Sequence, residues 1–342
     1  MTRPFSIMRL DPSELAAEPA PPEWPAPDVD DIARQAPDAS LVVRAGAALR
    51  ARCSLWWTDA PPYEAHRVGA IGHFGAADAE AARLLLDAAC DALAARGCTL
   101  AVGPMDGNTW RRYRLVTERG DEPPFFLEPT NPDAWPAWFE AAGFAPLAQY
   151  TSALATDLTR PDPRAEAAAE RLTASGVTVR PVDLARFDDE LRAIYSVAAV
   201  SFRANLLYTP IAEREFAAQY QAVRRLVRPE LALLAEHEER AVGFAFSIPD
   251  ALEVARGEPP RTVIVKTVAV LPERERYGGL GGWMVHRTHR TAAALGFTRA
   301  IHALMHETNA ASQSVSARTG ATMRRYTLFA RALASARAGV PR

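Results

Sequence analysis

The sequence is nearly devoid of lysine: of its 39 basic residues one is Lys, at position 266, and the other 38 are Arg. Arginine stays protonated at any working pH, so Lys266 is the only basic side chain of this pair of types able to shed its proton near neutrality. Cysteine is almost as scarce. Cys53, Cys90 and Cys98 form an odd set without metal-ligand spacing, which argues against a disulfide framework or a zinc site and leaves buried, inert thiols. No metal is expected. Net charge is missing too: 39 basic side chains stand against 41 acidic ones, so no general field draws the chain to nucleic acid or anionic lipid. There is no apolar run of about 18 residues to cross a bilayer, and MTRPFSIMRL lacks the apolar centre of a signal peptide. The expectation is a cytoplasmic protein with no nucleic-acid partner and at most peripheral membrane contact.

What is present is enough apolar sequence for two domains of ordinary size in 342 residues. Residues 1–40, rich in Pro, Ala and Asp from residue 11, read as a loosely structured leader. Residues 41–160 form a first domain: strand-like runs at 41–57 and 68–74, a helix over 76–96, a short strand at 99–102, an irregular stretch, a helix at 136–142 and a strand at 150–158. A linker at 161–175 precedes a second domain at 176–342. Its pattern gives a strand at 177–182, helices near 187–202 and 211–226, and a hairpin of 231–236 with 241–248. A β-branched strand at 262–271, a glycine loop, a helix to Leu295, a strand at 299–305, a helix at 310–318 and a strand at 325–333 complete it.

The halves resemble each other. Ala95-Arg96-Gly97-Cys98-Thr99 is echoed by Ala294-Leu295-Gly296-Phe297-Thr298, and each precedes a strand, a short helix closed by Gly143 or Gly320, and a final strand. The interval between the paired glycines is 46 residues in the first half and 24 in the second, so an internal duplication with a loop insertion in the first copy is expected.

The most informative segment is Val268-Ala269-Val270-Leu271-Pro272, followed by Arg276-Tyr277-Gly278-Gly279-Leu280-Gly281-Gly282 and a helix from Trp283. A strand, a loop of four glycines and a helix start would present successive backbone N–H groups to an anion, where the helix dipole also favours negative charge. Missing Cβ atoms let a diphosphate approach those amides, and Arg274 and Arg276 would add charge. The loop is neither a P-loop, which needs Gly-Lys-Ser/Thr, nor a dinucleotide Gly-x-Gly-x-x-Gly fingerprint.

In this stretch the chain resembles the GNAT (GCN5-related N-acetyltransferase) superfamily. Arg276, Gly279 and Gly281 match its Arg/Gln-x-x-Gly-x-Gly/Ala acyl-CoA loop. Val268, Val270 and Pro272 match the strand before it, and Asn309, Ser312 and Gly320 match the helix beyond. The resemblance implies an α/β (α+β mixed-sheet) fold of two GNAT-like lobes, each a mixed, mainly antiparallel sheet flanked by helices. It also implies acyl-CoA or acetyl-CoA as donor, gripped by Val268, Ala269, Val270, Arg274, Arg276, Tyr277, Gly278, Gly279, Leu280, Gly281, Gly282, Asn309 and Ser312. The thioester would sit where the 262–271 and 299–305 strands splay apart. The family's thiolate-protonating Tyr falls at Ser316 here, a poorer acid. The first half lacks the loop, its equivalent being Phe74-Gly75-Ala76-Ala77-Asp78, and reads as a degenerate copy whose long loop shapes the acceptor pocket.

An amine acceptor must lose a proton before attack, so a general base is needed. His306 and Glu307, at the C-terminal end of the 299–305 strand, are candidates. His302 reads as a core histidine. Lys266, two residues before Val268 and therefore on the same side of the strand, would serve as base or hold an acidic group of the acceptor. His286, Arg287, His289 and Arg290 read as a solvated helix face or as contacts to the CoA 3′-phosphate. Gly103-Pro104-Met105, Phe125-Phe126-Leu127-Glu128-Pro129, Lys266-Thr267-Val268-Ala269-Val270 and Ala303-Leu304-Met305-His306-Glu307 look like a bacterial tandem-GNAT group that includes ceramide synthases. That likeness implies a long-chain acyl donor and a sphingoid-base amine, with Trp56, Trp57, Trp110, Trp135 and Trp138 available to an acyl groove. The alternatives are acetylation of a small polar or protein amine, and a non-catalytic acyl-CoA sensor.

Overall fold

The computed structural model describes residues 4–22, 24 and 27–334. Its strands are β1 (Phe5–Leu10), β2 (Ala39–Ala45), β3 (Ala48–Trp56), β4 (Val68–Ala76), β5 (Leu100–Gly103), β6 (Leu115–Glu118) and β7 (Ala145–Ala155) in the first half. The second half supplies β8 (Thr178–Pro181), β9 (Ala232–His237), β10 (Arg240–Pro249), β11 (Thr262–Val270), β12 (Arg299–His306) and β13 (Ala321–Ala332). Together they build one sheet in the order β1-β2-β3-β4-β5-β13-β7-β12-β11-β10-β9-β8, with β6 attached to β13.

That order shows the duplication in space. In the first half β4 runs parallel to β5, pairing Val68 with Leu100 and Ala70 with Val102. In the second, β11 runs parallel to β12, from Thr262 opposite Arg299 to Val265 opposite His302. Each half reaches its parallel pair through a helix, α1 (Ala79–Ala94) or α4 (Leu280–Ala294), and α2 (Trp135–Ala141) leads into β7. The last strands are exchanged. β13, the end of the second half, pairs with β5 of the first, and β7, the end of the first half, pairs with β12 of the second. The exchanged strands then pair with each other, Tyr150 facing Tyr326. Neither half owns its complete sheet.

Three features differ from expectation. Phe5–Leu10, within the stretch read as a loose leader, is an edge strand antiparallel to β2. The linker region holds the helix α3 (Pro163–Ala174), begun by Asp162, whose side chain accepts the Arg164 and Ala165 N–H groups. The run 41–57 is two strands, turned at Gly46, whose φ of 64° suits a glycine. The three cysteines are buried and free, and burial pushes the Cys90 thiol up to about 12, as inert core thiols should behave. Among the described residues, no helix is long and apolar enough to cross a membrane.

Candidate active site

β11 carries a bulge. On its β10 side Val265 pairs with Ser247 and Thr267 with Phe246, so Lys266 is an extra residue. A bulge bends its strand and breaks the alternation of side chains, and here the bend begins where β11 leaves β12. Beyond Val265 only β10 remains a partner, and the other edge of β11 faces a cleft of about 2330 Å³. The expected splay is present. The bulge, however, invalidates the simple argument that Lys266 and Val268 share a side; both line the cleft by a different route.

The glycine segment forms one wall. Arg274–Tyr277 make a short turn, Gly279 adopts φ 87°, and α4 begins at Leu280, three residues before the expected start. Gly281 and Gly282 thus lie in the first helical turn, where no side chain caps the N–H groups. A Cβ on Gly281 would stand 3.6 and 3.8 Å from the side chains of Val268 and Val270. The absence of that carbon keeps a trough open between the helix start and β11. This combination suits the diphosphate and pantetheine of an acyl-CoA.

The first lobe shows the contrast. Its helix α1 is capped by Asp78, which accepts the Ala81 N–H at 2.8 Å, so a carboxylate occupies the place an anion would take. Its splay is filled by its own chain. The Met105 N–H donates to Ile71 O at 2.8 Å, the His73 N–H donates to Asp106 at 2.6 Å, and a Cβ on Gly72 would meet Met105 O at 2.5 Å.

Of the residues expected to grip the donor, Val268, Ala269, Val270, Arg274, Tyr277, Gly278, Gly279, Gly281, Gly282, Asn309 and Ser312 line the cleft. Asn309 also caps the helix α5 (Ala310–Thr319) by accepting the Ser312 N–H at 3.1 Å. Two do not reach it. Arg276 turns to the β9–β10 turn and pairs with Glu238 at 2.8 Å, and Leu280 is fully buried in the core.

The expected acid–base groups also separate. Lys266 borders the cleft and donates from Nζ to Leu127 O at 3.2 Å. Its surroundings, mainly by burial and then by the charge of Arg114, push its pKa down to about 7, while Glu128 opposes the shift. His306 also borders the cleft. Its Nδ1 accepts the Thr308 N–H at 3.1 Å, with the Thr308 hydroxyl at 2.8 Å, so the proton of the neutral ring sits on Nε2, which is buried and has no partner among the described residues. Burial and then Arg114 hold this imidazole below its usual pKa, against Glu307. Glu307 itself is exposed and pairs with Arg325 at 2.8 Å. Ser316 is buried on α5, away from the cleft lining. These two are not brought to the cleft.

Other expectations are corrected. His289 is buried, its Nε2 lying 2.9 Å from that of His302. Burial pushes the two rings down to about 4 and about 3 respectively, with a neighbouring histidine assisting in each. His286 lies 3.6 Å from Glu166, and Arg287 and Arg290 donate to Val179 O and Thr159 O. Of the five tryptophans considered for an acyl groove, Trp110 alone lines the cleft; Trp56 and Trp135 are core residues at 1% exposure.

The first half's long loop was expected to shape a pocket wall, but sequence reasoning did not pick out the residues it brings here. The loop around Phe125–Pro129 reaches across: the Phe126 N–H donates to Asp250 at 2.9 Å, and Arg256 donates to Pro124 O at 3.2 Å. Glu128 accepts from buried Arg324 at 2.6 Å and from the Tyr326 hydroxyl. Tyr326 shares a 3.0 Å hydrogen bond with Ser152, whose hydroxyl oxygen accepts the Leu304 N–H at 3.1 Å. Tyr150 packs edge-on to His306 with ring centres 4.8 Å apart. In a chain with 38 arginines, nothing local marks Arg114, which also enters here.

Two lobes with parallel pairs that splay, exchanged final strands and one glycine-led helix start define a tandem GNAT fold. The solved structures agree. A tandem GNAT protein from the clavulanic acid biosynthesis pathway superposes with a TM-score of 0.51 at 15% identity, over 97% of this chain and 99% of that one. The GCN5-related glucosamine N-acetyltransferase region of a fungal multi-domain GH3 β-N-acetylglucosaminidase gives 0.54 at 14% identity, over 96% of this chain and 38% of that one. By sequence, the chain is 29% identical over 187 residues to the bacterial ceramide synthase of Caulobacter vibrioides, covering 53% of this chain and 48% of the relative. The chain therefore spans about half the length of the curated relatives it matches. No protein-family model matches it.

Proposed function

We propose that the protein is an acyl-CoA-dependent N-acyltransferase whose donor site lies in residues 176–342 and whose acceptor wall comes from residues 41–160. The observation that carries this reading is the uncapped, glycine-led start of α4 beside the parted edge of β11. The CoA diphosphate would lie on the first-turn amides and Arg274, with the pantetheine along Val268–Val270 and the thioester at the splay. The backbone amide near Val270 would polarise the thioester carbonyl. Neutral Lys266 takes a proton from the acceptor amine, the nitrogen attacks the carbonyl carbon, and the C–S bond breaks. The Lys266 ammonium so formed supplies the proton that the leaving sulfur takes, while His306 Nε2–H donates a hydrogen bond to that sulfur and keeps its own proton. Environments that keep one group basic and the other a donor divide the two roles.

The finer reading is a long-chain acyl donor and a sphingoid-base acceptor, with membrane contact at most peripheral. The relative named a ceramide synthase supports it, as does a cleft shared by both lobes. The test offers acetyl-, palmitoyl- and longer acyl-CoAs with a panel of amines, and reads thiol release and product mass. Transfer to a long-chain amine with a preference for long donors is the expected result. Binding without thiol release would make the protein a sensor and overturn the enzymatic reading.

A further inference from the structure

We propose that Arg114 recognises an oxygen substituent beside the acceptor amine, so that amino alcohols or amino acids are selected over plain alkylamines. The inference rests on the acyltransferase reading and deepens it. Arg114 is 7% exposed, yet its guanidinium makes no hydrogen bond or ion pair with the described residues, and its buried Nε and Nη1 have no partner. A buried charge normally keeps a counter-ion or saturating hydrogen bonds. Here the compensation is two aromatic faces, Tyr113 at 3.9 Å and Tyr150 at 4.2 Å from the guanidinium carbon. Those faces accept the charge and leave the planar fork of donors free for ligand oxygens.

The backbone holds the group there against its own preference. Arg114 has φ 69°, a region that disfavours side chains other than glycine and that persists where surroundings or function require it. Its N–H is tied to Pro104 O at 2.9 Å. The position is next to the chemistry: Tyr150, on which Arg114 stacks, packs against His306, and the charge of Arg114 bears on both Lys266 and His306. Arg114 belongs to the first lobe, whereas the donor trough is built by the second. A ligand oxygen at Arg114 therefore belongs to the acceptor, close to its nitrogen.

The experiment measures kcat/KM by thiol release for three acceptors of equal chain length: a 1-aminoalkane, a 2-amino-1,3-diol and a 2-amino acid. One oxygen-bearing amine should exceed the aminoalkane by about 10–100-fold, the range of a hydrogen bond to a charged group. The better of the two identifies the oxygen as hydroxyl or carboxylate. Arg114→Met should bring the ratio to within about 3-fold, with Arg114→Lys intermediate because a point charge replaces the fork. Replacing an unpaired buried cation by an apolar side chain should keep or raise the melting temperature, which separates recognition from folding. Equal use of all three acceptors by the wild type, or an unchanged ratio in folded Arg114→Met, overturns the inference. So does a uniform slowing of every acceptor, which would move Arg114 to the thioester oxygen. No thiol release with any of the three acceptors sinks the acyltransferase reading as well, a result distinct from release without discrimination.

Discussion

Replacing Gly281 by alanine separates a ligand cradle from a structural turn. The residue lies in the first turn of α4, and no positive φ is recorded for it. A Cβ there finds ordinary van der Waals distances, 3.6 and 3.8 Å, to Val268 and Val270. The fold should accept it, and Gly→Ala within a helix is favourable by roughly 0.5–1 kcal/mol, a rise on the order of 2 °C in Tm for a protein of this size. The same methyl fills the trough where a pantetheine and diphosphate would press on the amides. Losing one charge-assisted hydrogen bond costs about 1.5–3 kcal/mol, or roughly 10–100-fold in CoA affinity. Calorimetric titration with CoA and a thermal melt read both effects on one sample. A variant that is stabilised and binds CoA as well as the wild type would refute the cradle. Gly279→Ala cannot serve, since φ is 87° and a Cβ would stand 2.7 Å from that of Ala168; weakened binding there would report misfolding.

Three further outcomes are expected. As the proposed base, Lys266, with its pKa near 7, would act only when deprotonated, so kcat/KM should rise with pH through about 7 and then level; Lys266→Arg should abolish that limb and most activity while CoA still binds. The folded-state pKa values of His289 and His302, about 4 and about 3, lie below the unfolded value near 6.5. Acid therefore protonates the unfolded chain first, and stability that is complete above pH 6.5 falls as the pH drops toward 4, at up to about 1.4 kcal/mol per pH unit for each ring. Urea titrations at pH 7 and 5 should differ less in His289→Leu/His302→Leu than in the wild type. Arg324, 1% exposed and paired with Glu128 at 2.6 Å, should lose about 3–5 kcal/mol as Arg324→Met because a buried carboxylate is left alone. Adding Glu128→Gln should restore part of that loss and move the Lys266 limb to lower pH.

The fold was legible where local pattern and global role coincide. Glycines at 97, 143, 296 and 320 marked the repeated unit, and the β-branched run at 262–271 marked the strand that parts. The strand exchange left no trace, because β7 and β13 present the same antiparallel pattern to either copy of the parallel pair. The bulge at Lys266 was equally silent, having neither Gly nor Pro to announce it. Arg276, Glu307 and Ser316 show the limit of reasoning by motif position. Each occupies a suggestive place along the chain, yet Glu238, Arg325 and the buried face of α5 claim their side chains. Glu128 was out of reach because its partners meet it only through a loop crossing between lobes, and Arg114 because its place beside Tyr113 and Tyr150 follows from the fold.

The exchange also ties the first lobe to the proposed site in the second. β12 needs β7 on its open side, and β7 delivers Tyr150 to His306. β13 needs β5, and it delivers Arg324 and Tyr326 to Glu128, whose charge opposes the fall in Lys266's pKa. A second lobe cut free would expose the edges of β12 and β13 and lose the carboxylate and ring that neighbour Lys266 and His306. In the first lobe, by contrast, Asp78 at the helix start and Met105 in the splay remove the space a donor would occupy. On the proposed reading, its fold serves as the acceptor side of the second lobe's site.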